Sequence, residues 1–148
     1  MTMDQPASTP SEQPLPLAWV EGRLAVVRLD PSGEIPEWVN SQLIKSGPLV
    51  SVSRTASETS IILAEAALPE NPGSLVRLER GWRAFGVAAQ LDMNMIGVMA
   101  ALVQPLASAG ISVLTVSTFD TDYLLVREEL VHDTMRALSG VGEFRNQP

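Results

Sequence analysis

The chain has 148 residues, 45% of them hydrophobic, with a formal net charge of −7 and no cysteine. This length allows one ordinary domain or two small modules that share an interface, because units so small expose too much surface to stand apart. An acidic chain without a Lys/Arg cluster is a poor nucleic-acid partner, absent cysteines exclude disulfides and thiolate sites, and no apolar run approaches the roughly 18 residues of a membrane span.

Residues 1–14 are rich in Ser, Thr, Pro and Gln, too polar to offset the entropy of ordering, and are expected to form a flexible tail. They carry neither the positive start nor the apolar stretch of a signal peptide, so the expected location is the cytoplasm. Leu15 to Val20 reads as a short strand, Glu21-Gly22 as a turn, and Arg23-Leu-Ala-Val-Val-Arg-Leu29 as a β-branched strand ending at the turn Asp30-Pro-Ser-Gly33. Pro36, Trp38, Val39, Leu43 and Ile44 suggest a short helix closing at Ser46-Gly47. Leu49 to Thr55 and Thr59 to Glu65 flank Ala56-Ser-Glu58 as an antiparallel hairpin.

Pro69-Glu-Asn-Pro-Gly73 is the strongest punctuation and marks the division into halves, a first module over 15–78 and a second over 79–146. Gly81 to Ala88 opens the second half as a strand. Apolar residues at 95, 96, 99, 102, 103 and 106 recur at helical spacing, with Pro105 bending the helix and Gly110 stopping it. Ile111 to Thr118 and Tyr123 to Arg127 make a second hairpin around Phe119-Asp-Thr-Asp122, followed by a helix from Glu128 to about Leu138 and a last strand within 141–144.

The halves echo one another. Val52-Ser53 followed by Thr59 to Glu65 reappears as Val116-Ser117 followed by Asp122 to Glu128, and Asp30 stands to the first helix as Asp92 stands to the second. Each half is thus β-α-β-β-like, although the first lacks an evident fourth strand, an edge that Leu15 to Val20 is available to fill.

Enzymatic and metal chemistry find little footing. His132, the single histidine, lies beside Asp133 on an exposed-looking helix, and no serine stands in a nucleophile-elbow motif. Asp120, Asp122, Glu128 and Glu129 lack the glycine and terminal glutamate of a calcium loop, and the two aspartates read as residues that close the hairpin. Gly86, Gly97 and Gly110 form no dinucleotide fingerprint. No catalytic residue, metal or cofactor is expected.

Leu91-Asp-Met-Asn-Met-Ile-Gly97, Pro105-Leu-Ala-Ser-Ala-Gly-Ile-Ser-Val113 and Ser117-Thr-Phe-Asp-Thr-Asp-Tyr-Leu-Leu-Val126 together resemble the ACT domain of small two-module bacterial ACT proteins. That family is similar to the CASTOR amino-acid sensors and, more distantly, to the regulatory tails of aspartate kinases. The resemblance implies an α+β fold of two ferredoxin-like βαββαβ modules side by side, antiparallel sheets with helices on one face. It implies a non-catalytic regulatory protein that holds an amino acid between modules, against the strand-to-helix loop and the start of the strand after the helix.

Those positions are Asp92, Asn94, Met95, Ile96, Gly97, Ser112 and Val113, the last two acting through backbone groups. Relatives commonly read Leu-Asp-Phe-Ser-Leu-Thr-Gly where this chain has Leu91-Asp-Met-Asn-Met-Ile-Gly97, so Asn94 and Ile96 replace two hydroxyls. One of Asp92 and Asn94 is suited to cap the helix, the other to meet a ligand ammonium, while unpartnered amides at the helix start suit a carboxylate. Acidic composition and the CASTOR resemblance lean toward a cationic amino acid such as arginine. A homodimer is the expected assembly, since open strand edges and so apolar a helix invite pairing. The alternative, a structural or interaction module without a small ligand, rests on the two replaced hydroxyls.

Overall fold

The computed structural model describes residues 13–39, 47–73, 77–90 and 96–148. Among them the chain is mixed α/β, with strands β1 (Leu15–Trp19), β2 (Leu24–Leu29), β3 (Ser51–Arg54), β4 (Thr59–Ala64) and β5 (Arg77–Val87), helix α1 (Val98–Ser108), strands β6 (Leu114–Ser117) and β7 (Asp122–Arg127), helix α2 (Val131–Ala137) and strand β8 (Gly142–Phe144). Short 3-10 turns at Glu65–Ala67 and Glu128–Leu130 follow β4 and β7. Two compact units result, one of Val20–Ala84 and one that joins the chain up to Trp19 with Phe85–Pro148.

In the Val20–Ala84 unit the strand order is β3-β4-β2-β5. β2 and β4 run antiparallel from Leu24↔Ala64 to Leu29↔Thr59, and β3 pairs β4 from Ser51↔Ile62 to Arg54↔Thr59. On the other side of β2 lies the first part of β5, from Arg28↔Arg77 to Leu24↔Trp82, with a bulge between Leu24 and Val26. Val27, Leu29, Ile61 and Leu63 point to one face by the two-residue period of a strand and form the core, covered by Trp38, Val39 and Leu68 among others. Each such side chain contributes roughly 1.5–3 kcal/mol of transfer free energy. Of the helix anticipated after Pro36, residues 37–39 form a turn in which Val39 N donates to Pro36 O at 2.9 Å, and 40–46 lie outside the described residues.

The second unit is a βαββαβ arrangement of β5, α1, β6, β7, α2 and β8, with β1 inserted between β5 and β8, giving the order β8-β1-β5-β7-β6. β1 is antiparallel to β5 (Leu17↔Val87, Trp19↔Phe85) and parallel to β8 (Leu15↔Gly142, Leu17↔Phe144). The expectation that Leu15 to Val20 completes the first half is corrected here: Arg77 to Trp82 stands beside β2. β1 instead buries Leu17 and Trp19, two residues apart, in the core of the second unit with Phe85, Val87 and Phe144. Trp19 stacks on Phe144 with centroids 5.0 Å apart and meets the edge of Phe85 at 5.2 Å. Past the end of β8, Asn146 behaves like one more ladder residue, its Oδ1 accepting from Trp19 N at 2.7 Å and its Nδ2 donating to Trp19 O at 2.9 Å.

α1 buries Val98, Leu102 and Leu106, one stripe at four-residue spacing, against this core. It runs through Pro105 and ends as a glycine helix stop: Gly110, at φ 72°, donates to Ala107 O at 3.0 Å and Ile111 N donates to Leu106 O at 2.9 Å. That pair of bonds satisfies carbonyls the helix end would otherwise leave open.

The hairpin pattern recurs in the structure: the outgoing strands keep the expected match of Thr59 with Asp122, while the incoming strands are shifted by one residue from the expected match of Val52-Ser53 with Val116-Ser117. Ser51–Arg54 corresponds to Leu114–Ser117, Thr59–Ala64 to Asp122–Arg127, and the 3-10 turn Glu65–Ala67 to Glu128–Leu130, at constant spacing. Arg54, rather than Ser53, is therefore the counterpart of Ser117. In both copies the three central residues of the outgoing strand, Ile61-Ile-Leu63 and Leu124-Leu-Val126, are buried.

Candidate functional site

Two local devices bring the β6–β7 turn to the end of β5. Thr118 closes the turn, donating from Oγ1 to Thr121 O at 2.9 Å and accepting from Thr121 N at 3.3 Å, with Thr118 N donating to the same carbonyl at 2.9 Å. Thr55 closes the β3–β4 turn likewise: its Oγ1 donates to Glu58 O at 3.4 Å and accepts from Glu58 N at 3.2 Å. Hairpin closure by Asp120 and Asp122 is thereby corrected, because a hydroxyl on the first turn residue already reaches the amide three positions on. Asp122 instead starts β7 opposite Ser117, and Asp120 is released to accept from Gln90 Nε2 at 3.1 Å. Thr121 Oγ1 donates to Val87 O at 3.2 Å, tying the turn to the last residue of β5.

Close approach at Gly86 completes the contact. A Cβ there would lie 2.8 Å from Tyr123 Cδ1 and 3.1 Å from Asp122 O, so only glycine lets the tyrosine ring lie across β5. Gln90 and Thr121 were not singled out in the sequence, where an isolated Gln and a turn Thr carry no periodic signal.

Of the expected ligand residues, Asp92, Asn94 and Met95 lie outside the described residues. Ile96 is 65% exposed, and Gly97 is exposed at φ 88°. Gly97 is the N-cap of α1, its carbonyl accepting from Ala101 N at 2.9 Å, so the capping position belongs to a left-handed glycine rather than to Asp92 or Asn94. Ser112, exposed, and Val113, half-buried against the core, precede β6 instead of lying in it. They follow the C-terminal end of α1, whose eleven residues span about 16 Å at about 1.5 Å each. Ile96 and Gly97 therefore sit at one end of the helix and Ser112 and Val113 near the other.

Asp30, the expected counterpart of Asp92, accepts at Oδ1 from Ser32 Oγ at 2.6 Å and Ser32 N at 2.9 Å. These two bonds, hydroxyl first and amide second, hold its carboxyl below the ordinary aspartate value. His132 is exposed, and among the described residues no three His, Asp or Glu side chains gather to hold a metal ion. Nor is any described helix long and apolar enough to cross a membrane.

Residues 77–140 match the family model of the ACT domain, a stretch that starts with β5 and runs through α2. In structure the chain is similar to protein Atu0741 from Agrobacterium tumefaciens, with a TM-score of 0.76 and 29% identity over 91% of this chain and 96% of that one. It is also similar to VC0802 from Vibrio cholerae, described as a protein of unknown function and possible transport protein (TM-score 0.63, 16% identity, 86% and 89% covered). The regulatory subunit of aspartate kinase from Thermus thermophilus, in its ligand-free form, superposes with a TM-score of 0.56 at 11% identity, over 83% of this chain and 95% of that subunit. At such identities the last two speak to fold alone. No curated protein matches the chain in sequence.

Proposed function

We propose that this protein is a non-catalytic cytoplasmic regulator built from two ACT-like modules that binds a free amino acid. The observation that carries the reading is the ACT-domain match over 77–140, which takes in β5, α1, the β6–β7 hairpin and α2. At the end of β5, Gln90, Asp120 and Thr121 supply polar groups, and Gly97 is exposed at the helix start. The proposed contacts are Asp92, Asn94, Met95, Ile96 and Gly97 at that loop, with Ser112 and Val113 supplied by a neighbouring module, since they follow the opposite end of their own helix. A ligand that touches both modules favours the arrangement holding both contacts, which is how binding becomes a signal.

Thermal-shift measurement against the free amino acids tests this, with arginine and lysine first because the chain is acidic. A ligand at 100 times its dissociation constant stabilises by about 2.7 kcal/mol. Gly97→Asn, which tolerates the left-handed backbone but adds a side chain, should weaken the response and leave the fold intact. If no amino acid shifts the transition, the second reading takes over, a module that docks a protein. Phe119 at 77% exposure and Ile96 at 65% favour that reading.

We further propose a homodimer. β3 pairs only with β4 and β6 only with β7 among the described strands, and each leaves an edge bearing an exposed apolar residue, Val52 and Leu114. Light scattering should give twice the chain mass at micromolar concentration, and a monomer there overturns the proposal.

A further inference from the structure

The two hairpins correspond residue for residue, yet they differ where each lies against the loop that follows the first strand of its own unit. In the Val20–Ala84 unit Arg54, the last residue of β3, pairs with Thr59, and Thr59 pairs with Leu29 at the end of β2. From there Arg54 Nη2 donates to Pro31 O, two residues past that strand. The loop backbone of this unit thus already holds a guanidinium from its own chain. In the second unit the places are the same and the side chains are not. Ser117 stands for Arg54 and Asp122 for Thr59, and these two pair likewise in the ladder. Thr121 Oγ1 donates to Val87 O, which sets the start of β7 beside the end of β5, and two residues past Val87 comes Ala89, exposed, at the place of Pro31. Ser117 is exposed and Asp122 half-buried, and among the described residues neither side chain has a hydrogen-bond or ion-pair partner.

We infer that Arg54 is a built-in occupant of the first unit's ligand position, so that the chain takes a single ligand, in the second unit, and that this ligand carries a cationic side chain. The inference rests on the amino-acid reading above and adds to it a stoichiometry and a side-chain charge. A planar guanidinium with five N–H donors fills the first position and reaches a loop carbonyl. The second position has a hydroxyl in place of that long side chain and a carboxylate in place of the neutral threonine beside it. It is shorter by the length of an arginine and richer by one negative charge, the complement of the group that its counterpart contains. A free amino acid with a guanidinium or ammonium side chain supplies that group from outside, with Asp122 as its charge partner.

Titration of the full chain with L-arginine, followed by calorimetry and by amide NMR, tests the assignment. Arg54→Ser should add one L-arginine site per chain to whatever the wild type binds, and the titration should then move the Ser32 and Gly33 amide signals. Arg54→Lys, which keeps a cation in place, should add none. Ser117→Arg should fill the second position and weaken L-arginine at least about tenfold, the scale of a lost charge-assisted bond. Circular dichroism checks that each variant is folded. Two sites in the wild type, no added site in Arg54→Ser, an added site in Arg54→Lys, or unchanged affinity in Ser117→Arg each overturns the inference. The added site is a difference between variant and wild type, so it is read whether or not the wild type binds. A wild type without heat counts against the amino-acid site of the second unit, whereas a missing gain in Arg54→Ser counts against Arg54 as an occupant, and the two failures are told apart.

Discussion

Gly86 and Tyr123 form a lock whose two halves lie in different strands. An added methyl would sit 2.8 Å from one ring carbon and 2.9 Å from the next, inside any ordinary contact distance, so either the ring or β7 must move. Gly86→Ala should cost about 1–3 kcal/mol in urea unfolding, the range for overpacking a filled site, and a stability equal to wild type would show the ring is free to yield. Asp30 is a milder case, wholly at the surface. Ser32 stabilises its ionised form, so the folded carboxyl titrates below the unfolded one. The contribution is present above the ordinary aspartate range and is lost as pH falls through the lowered value. Carbon-detected NMR titration should place Asp30 below the ordinary aspartate value, and Ser32→Ala should raise it toward that value.

At the scale of elements, the two hairpins are built on one plan. Thr55 and Thr118 make the same closing bonds at equivalent positions, so Thr55→Val and Thr118→Val should each cost about 0.5–1.5 kcal/mol, the net worth of a hydrogen bond. The Thr118 variant should also disturb Gln90 and Val87 amide signals in NMR, because that turn is tied to β5, whereas Thr55→Val should not. Both hairpins, the turn at Asp30 and the helix stop at Gly110 were legible in the sequence, since alternation and turn residues act within a few positions. The repeat was legible in register for the outgoing strands but off by one residue for the incoming ones, because matching Val-Ser pairs outweighed the turn threonines, which sit at equal distance from the outgoing strands. Val98 was missed as a core residue because the apolar run begins earlier, at 95 and 96, while Gly97 starts the helix only after Ile96 has turned to solvent. That Ser112 and Val113 precede β6 rather than open it was not legible, because the run from Ile111 to Thr118 alternates without a break.

On the scale of the whole chain, what sequence patterns could not show was which strand goes beside which. Leu15–Trp19 has the same short apolar look whether it joins β2 or β8, and its pairing with residues more than a hundred positions away leaves no local mark. Removing it tests its role. A fragment starting at Arg77 contains all of the ACT-domain match but leaves Phe85, Val87 and Phe144 without Leu17 and Trp19. Circular dichroism of that fragment should lack a cooperative thermal transition, and adding a peptide of residues 13–22 should restore one; a fragment that melts cooperatively alone would show that β1 is dispensable.

Insertion of β1 between β5 and β8 also orders events on the ribosome. β1 must wait, with one edge unclaimed, until more than a hundred further residues have been synthesised, since its parallel partner is Gly142–Phe144 and the side-chain amide that completes its ladder is that of Asn146. At about 5–20 residues per second that wait lasts several seconds to half a minute. Pro14, just before the waiting strand, and Pro16, within it, lack an amide hydrogen and leave fewer donors for a stray strand to capture.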